Sequence, residues 1–350
     1  MKEHLNKFDA FKSAGIREWE AAAREELNGA NPWEKLTHKG EGWSSRPYYE
    51  RQTPGIAPPL LSNSGNEFLG ARAWFNCPRI VVQDVEKSNQ MALNFLQQGA
   101  DGIFFELNGT INFNKLLDGI QLQYCSLNFI AKQDPIQTAE ALRAFFHANN
   151  AESNALPGAF FGNTFIESGQ TPVFKFSGFQ IPASNNPAAD IAAGFNTMMK
   201  AAGRQIGAQI NSIAFSASVA TDFFVELAKL RAIRIVWKKL LTDRGITNEA
   251  KLFIHAVSLP WKTNHFEPHG NMLKSTTAAM ASILGGCDAL TIDAEDPLQA
   301  MQVRVARNVS NILREESFFS KVADPVAGSY FVEDLTNQIA EGAWKSIQQQ

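Results

Sequence analysis

The stretch Phe174–Asn186, FKFSGFQIPASNN, reads as a strand, a loop and the start of a helix. Phe174–Phe176 is a buried strand that runs into a glycine turn at Gly178. Phe179 and Gln180 follow the turn, and a polar loop leads to a helix over Pro187–Ala202, with Ile191, Phe195, Met198 and Met199 inward. The unit recurs on both sides. Before it come strands at Arg79–Val82, Gly102–Leu107 (GIFFEL), Tyr124–Ile130 and Leu156–Phe161. Their helices are Val85–Gln98 (capped by Asp84 and closed by Gly99), a segment near Phe113–Gln121, and Pro135–His147. After Val173–Phe176 come strands at Ser212–Ser216, Lys251–Ser258 and Ala289–Asp293. Asp222 caps a long helix to Leu241, and helices follow at Asn271–Leu284 and Leu298–Ser317, with a closing helix from Val332. Alternation of this kind means parallel strands joined by right-handed crossovers. Eight repeats of the unit predict an α/β protein, a (β/α)8 TIM barrel, better than an open doubly wound sheet. Phe179 and Gln180 then fall at the barrel mouth, where barrel enzymes keep their chemistry, yet neither side chain can exchange a proton usefully there.

Residues 1–66 differ from the rest. A helix at Ile16–Asn28 precedes a stretch rich in Pro, Gly, Trp and Tyr, through Trp33, Trp43, Tyr48 and Tyr49 to Pro58-Pro59. It is too apolar for a free linker and too rich in Pro and Gly for a regular element. Either this arm packs on its own domain, or its aromatic anchors reach a partner subunit. The expected organisation is an N-terminal helix and arm over 1–66, serving subunit contact, and a barrel over 67–350.

Composition narrows the function classes. The net charge of −3 gives no basic surface for nucleic acid or anionic membrane. No apolar run approaches the ~20 residues of a membrane span, and the N-terminus lacks the apolar core of a signal peptide. Three scattered cysteines without a CxxC pairing fit a reduced, cytoplasmic compartment and no zinc site. Twenty-six Phe against four Tyr point to large apolar cores. There is no Walker loop, and no GxGxxG follows a strand. His255, His265 and His269 gather around strand seven, but Pro268 interrupts a regular helix and no nearby Cys or Asp completes a ligand set, so no metal is expected. His255, inside the strand, is either a satisfied core residue or the remnant of a ligand site. Glu106 and Asp293 end strands two and eight, on what read as non-adjacent loops, a weak pattern for a paired-carboxylate enzyme.

Several blocks in order carry a resemblance. They are Lys229–Trp237 (KLRAIRIVW), His255–Asn271 (HAVSLPWKTNHFEPHGN), Ala278–Gly286 (AAMASILGG), Val305–Asn308 (VARN), Glu315–Ser317 (EES) and Lys321–Tyr330 (KVADPVAGSY), with Trp19, Leu27–Gly29 and Pro47–Tyr49 in the arm. Together they resemble the methylmalonyl-CoA mutase family, most closely the small subunit of its heterodimeric forms. The resemblance implies a barrel that binds acyl-CoA along its axis. It implies adenosylcobalamin laid over the mouth by a separate domain with a DxHxxG motif, which would follow beyond Gln350 and is not in this sequence. The protein's part in such an enzyme is orientation and exclusion of water, while the cofactor supplies the radical.

At the positions that would hold substrate, the sequence departs from the family. SGYH has become Ser177–Gln180 (SGFQ), so Phe179 and Gln180 replace a tyrosine and a histidine. Val257 stands for a glutamine and Thr291 for a histidine. The stretch Asn163–Pro172 is short and has no arginine, and Asn63–Arg72 is too short for a tyrosine-rich substrate loop. Each missing donor removes ~1–3 kcal/mol of binding or transition-state stabilisation. No catalytic set is intact; His255, Ser177 and Asn163 are candidate remnants of the ligand site. The resemblance therefore implies a non-catalytic barrel that binds no cofactor alone and retains acyl-CoA doubtfully. It would pair with a catalytic large mutase subunit, or with itself in isolation. The alternatives are an active acyl-CoA mutase barrel served by a cobalamin domain in trans, and a barrel repurposed for an apolar ligand.

Overall fold

The computed structural model describes residues 14–50, 69–149, 157–165, 176–203, 213–246, 250, 252–259 and 270–349. A short antiparallel pair, β1 (His38–Gly40) and β2 (Trp43–Ser45), precedes a parallel sheet. That sheet contains β3 (Phe75–Asn76), β4 (Arg79–Val82), β5 (Gly102–Leu107), β6 (Ser126–Ala131), β7 (Ala159–Phe161), β8 (Phe176–Ile181), β9 (Ile213–Val219), β10 (Leu252–Ser258) and β11 (Ala289–Thr291). Its spatial order runs β3-β11-β10-β9-β8-β7-β6-β5-β4. The two ends of that order are halves of one segment, parted only by Cys77 and Pro78.

This is a closed barrel of eight strands whose first strand is interrupted. Pro78 has no N–H to give the ladder, so the strand breaks there. Across the break the Cys77 N–H donates to the Leu290 carbonyl (2.9 Å), and the Pro78 carbonyl accepts from the Phe104 N–H (3.0 Å), so one segment is bonded to both neighbours. The expected (β/α)8 architecture holds, with strands within a few residues of their predicted positions.

The closed sheet separates two apolar regions. Outside it, helices cover the strands. Ile191, Phe195, Phe215, Ile233, Trp237 and Ile339 belong to one packed cluster, and Phe95, Phe105, Phe129, Leu142 and Phe146 to another. Inside it, Cys77, Phe104, Ile130, Phe161, Phe176, Phe253 and Val257 fill the axis. Alternation along each strand assigns the two sets.

The strand of the opening stretch is where the structure departs most from expectation. Its described part spans Phe176–Ile181, so Gly178 lies inside β8 and not at a turn. The glycine is needed for packing: a Cβ there would fall 2.1 Å from the Phe161 ring. The helix expected near Phe113–Gln121 is a single turn, Phe113–Leu116. The last barrel helix begins at Ala300, not Leu298, and runs to Glu315; it buries Ala306, Val309 and Leu313 and leaves Met301 and Ile312 exposed, although both share the periodicity that marks the helix.

Half of the arm docks on its own chain. The Ser44 N–H donates to Gln338 Oε1 (2.9 Å) and the Gln338 amide donates back to the Ser44 carbonyl (2.9 Å). Tyr49 reaches Asp334 (3.2 Å) and meets the Phe331 ring edge-on, so the arm seats on the closing helix Tyr330–Gln348. Trp19, Trp33 and Tyr48 stack in a small cluster of their own, and the helix Ile16–Glu26 buries no residue.

Candidate functional site

Arg79, which opens the second half of the first strand, meets Glu106 and Asp293 at the ends of the second and eighth strands. Arg79 Nη1 donates to Glu106 Oε2 at 2.8 Å, and Nε donates to Asp293 Oδ1 at 2.9 Å. Lys132 stands 3.6 Å from the other Glu106 oxygen, and the guanidinium lies 5.1 Å over the Phe104 ring. The two acids that read as non-adjacent are in fact clamped on one cation, because the first strand lies between the second and the eighth. Arg79 is the residue that sequence reasoning missed; its signal was an arginine opening a β-branched run, RIVV, one residue past a proline. Burial pushes Asp293 above the usual carboxylate range, and Arg79 only partly holds it down. Replacing Arg79 with Met leaves two half-buried carboxylates without their cation. We expect a loss on the order of 3 kcal/mol at pH 7, partly recovered at pH 5 as one acid takes up a proton. Urea unfolding at both pH values reads this, and an equal loss at both would contradict it.

Beneath that cluster His255 and Thr291 meet directly. The Thr291 hydroxyl donates to the Cys77 carbonyl (2.5 Å), so its oxygen accepts from His255 Nε2–H at 2.8 Å. That fixes the tautomer by elimination and leaves Nδ1 buried without a partner. The imidazole packs edge-on to Phe104 (4.6 Å) and lies 5.6 Å from the Phe161 ring. Burial, with a smaller push from Arg79, lowers its pKa to about 3. This histidine is a neutral core group near pH 7. Val257 sits beside Thr291 in register and belongs to the interior apolar cluster.

The remaining sequence-predicted positions divide by strand face. Phe179 does not line the mouth. It is fully buried, with Phe165 at 5.1 Å and Phe215 at 6.4 Å, among the side chains packed between sheet and helices. Alternation puts Ser177 on that same outward face, away from the axis. Gln180 does reach the mouth and is exposed there. Its N–H donates to Asn163 Oδ1 (2.9 Å), while the Asn163 N–H donates to the Gly178 carbonyl (3.2 Å). Asn163, in the left-handed conformation (φ 53°), is thus a strap between the ends of β7 and β8. Trp261, His265, Pro268 and His269, and most of Asn163–Pro172 and Asn63–Arg72, lie outside the described residues. No group of three metal-ligating side chains occurs among the described residues.

Chemically, the arrangement is a barrel axis closed by rings. Phe176 and Phe253 stack at 5.1 Å, and Phe104 and Phe161 meet edge-on at 6.1 Å, around an imidazole that does not titrate near neutrality.

The model of the family described as methylmalonyl-CoA mutase matches residues 187–350. The chain is 27% identical to the methylmalonyl-CoA mutase small subunit of Porphyromonas gingivalis, covering 98% of this chain and 64% of that protein. Over most of its length the chain is similar to methylmalonyl-CoA mutases. The small subunit from Streptomyces virginiae is 25% identical over 87% of this chain and 57% of its own length. The mitochondrial methylmalonyl-CoA mutase of Bos taurus is 24% identical over 94% of this chain and 54% of its own. The chain therefore spans just over half to just under two thirds of the length of these mutases.

The mutase-like blocks turn out to hold the frame. In KLRAIRIVW, Lys229 donates to the Ser218 carbonyl (2.8 Å), Arg231 grips both Asp324 oxygens (2.8 and 2.9 Å), and Arg234 binds Asp288 and the Leu252 and Gly286 carbonyls. Trp237 Nε1 donates to the Ala250 carbonyl (3.1 Å). Asp324 belongs to KVADPVAGSY, so two blocks far apart in sequence are one ion pair in space. In VARN, the Arg307 carbonyl accepts from the side chain of Asn76 (3.1 Å) at the barrel floor.

Proposed function

We propose that this chain is the small-subunit-type barrel of an adenosylcobalamin-dependent methylmalonyl-CoA mutase. It stabilises a catalytic mutase chain and does not itself turn over substrate. The observation that carries the reading is the phenylalanine-filled axis. Phe104, Phe161, Phe176 and Phe253 stand where an acyl-CoA chain would have to thread, and removing several packed rings to admit it costs roughly 3–5 kcal/mol per ring. Where the resemblance would place substrate donors, Gln180 at the mouth offers one neutral amide, Val257 is an interior apolar residue, and Thr291 is buried and already committed to His255 and Cys77, while the two acids at the mouth, Glu106 and Asp293, are held by Arg79.

The described residues do not fit a cobalamin either. A cobalt ligand would have to be an accessible neutral imidazole nitrogen, and His255, the histidine inside the barrel, has Nε2 bound to Thr291 and its ring fully buried. The barrel accordingly takes no step through the cofactor; that chemistry belongs to the partner. The names of the Porphyromonas and Streptomyces relatives, both small subunits, support a heterodimer. The aromatic cluster of Trp19, on a helix with no fully buried residue, with Trp33 and Tyr48 packed against it, is the part of the arm offered to the partner.

The test is co-expression with a longer mutase chain, purification of the complex, and an assay of succinyl-CoA to methylmalonyl-CoA conversion. Activity is expected only when the long chain is present, with no turnover from this chain plus an isolated cobalamin-binding domain. Turnover from that second mixture overturns the reading in favour of an active barrel served in trans.

A further inference from the structure

The helix Ala300–Glu315 is two-sided, and only one side is used by the barrel. Ala306, Val309, Ser310, Leu313 and Arg314 are buried. On the opposite side, at 3.6 residues per turn, Met301, Val305, Asn308 and Ile312 form one outward stripe. Met301 is 61% exposed and Ile312 48%. Apolar groups continue past both ends: Leu298 (92% exposed) before the helix, Phe318 (60%) and Val322 (54%) after it. On the neighbouring helix, Gly270–Gly285, Met272 and Leu273 are exposed as well.

Two charges flank the stripe. Taking Met301 as reference, Arg304 lies about 60° and Glu315 about 40° round the helix, on the same flank. Both are exposed, and neither makes an ion pair within the described chain, although the rest of the barrel pairs its charges at many places. They stand on the N-terminal and C-terminal halves of the helix.

A twofold axis across the stripe matches this pattern to itself. An antiparallel pair of these helices keeps the same flank on the same side of the axis and exchanges the two halves. With the axis between residues 309 and 310, Arg304 of one copy comes level with Glu315 of the other, twice over. In the same register Met301 comes level with the stretch just past the end of the opposite helix, where Phe318 is exposed, and Ile312 falls beside the middle of the opposite stripe. The apolar start of one helix thus covers the apolar end of the other. A surface that matches itself in charge and in apolar pattern is what an isologous dimer requires.

We infer that this face pairs two copies of the chain, through antiparallel packing of their Ala300–Glu315 helices with reciprocal Arg304–Glu315 ion pairs. The inference does not depend on the catalytic role argued above, and it uses a different surface from the arm.

The chain alone, at micromolar concentration, is measured by sedimentation velocity as wild type, Arg304→Glu, Glu315→Arg and the double reversal. Thermal melts followed by circular dichroism establish that each variant is folded. A wild-type dimer is expected, weakened roughly tenfold or more in dissociation constant by either single reversal and restored by the double, which rebuilds the pair with its signs exchanged. A monomeric wild type, a dimer indifferent to either reversal, or a double variant as weak as the singles overturns the proposal. So does a monomeric chain whose complex with a catalytic mutase chain is broken by the same reversals, since the face would then belong to that partner.

Discussion

Asp324→Ala is expected to lower the unfolding free energy by about 3–5 kcal/mol, the usual cost of stripping one partner from a buried ion pair. Arg231 is fully buried, and one nitrogen, Nη1, meets both Asp324 oxygens at 2.8 and 2.9 Å while Nε and Nη2 have no partner. Without Asp324 the buried guanidinium loses the anion that balances it. It must then remain as an uncompensated cation or drag its helix out of place. The double change Arg231→Met with Asp324→Leu removes charge from both sides at similar volume and should recover most of the loss. Urea unfolding of the three variants reads both effects, with the denaturant slope confirming a common unfolded state. As a control, Glu86→Ala breaks a surface pair with Lys115 and should leave the midpoint unchanged. A loss below about 1 kcal/mol for Asp324→Ala would show that the pair does not hold these elements together. The result bears on function, because KLRAIRIVW and KVADPVAGSY are the blocks by which the chain resembles catalytic mutases. If they brace the barrel, their retention is what a supporting subunit needs, and says nothing of turnover.

Strand–helix alternation made the barrel legible, since the period switches from unit to unit and the caps at Asp84 and Asp222 stand where helices begin. The face on which each residue of a strand falls was harder. Gly178 reads as a turn because glycine usually marks one; here it is small because Phe161 occupies the space, and the strand runs on through Phe179. Placing Phe179 at the mouth followed from that one misread glycine: period-two alternation sends residue 179 outward once the strand is known to continue. The Arg79 clamp was invisible for a different reason. Glu106 and Asp293 become neighbours only when the sheet closes, and closure depends on a strand interrupted at Pro78. Conversely, the exposed stripe of Ala300–Glu315 satisfies a helical period as well as its buried face does. Periodicity shows that one face is apolar and does not say which face is covered.

Acidification is expected to destabilise the protein through His255, and the sign follows from its surroundings. Folded, the imidazole has a pKa near 3, lowered first by burial and then by the nearby Arg79 cation. Unfolded, it returns to about 6.5. The neutral form is the one the fold accepts, so its contribution is fully present above pH 6.5 and is lost as pH falls from there toward 3. The slope is about 1.4 kcal/mol per unit, roughly 5 kcal/mol over the whole window. The geometry explains why the fold refuses the proton. Thr291 gives its hydrogen to the Cys77 carbonyl and its oxygen to His255 Nε2–H, so an added proton must go to Nδ1, which is buried without an acceptor. His255→Leu removes the group while Thr291 keeps its bond to Cys77. Between pH 7 and pH 5 the wild type should lose about 2 kcal/mol more than the variant in matched urea titrations. Parallel losses would mean that His255 is protonated in the folded barrel with little strain. The axis would then have room for water or a ligand beside Nδ1, and the case for a plugged, non-catalytic barrel would weaken with it.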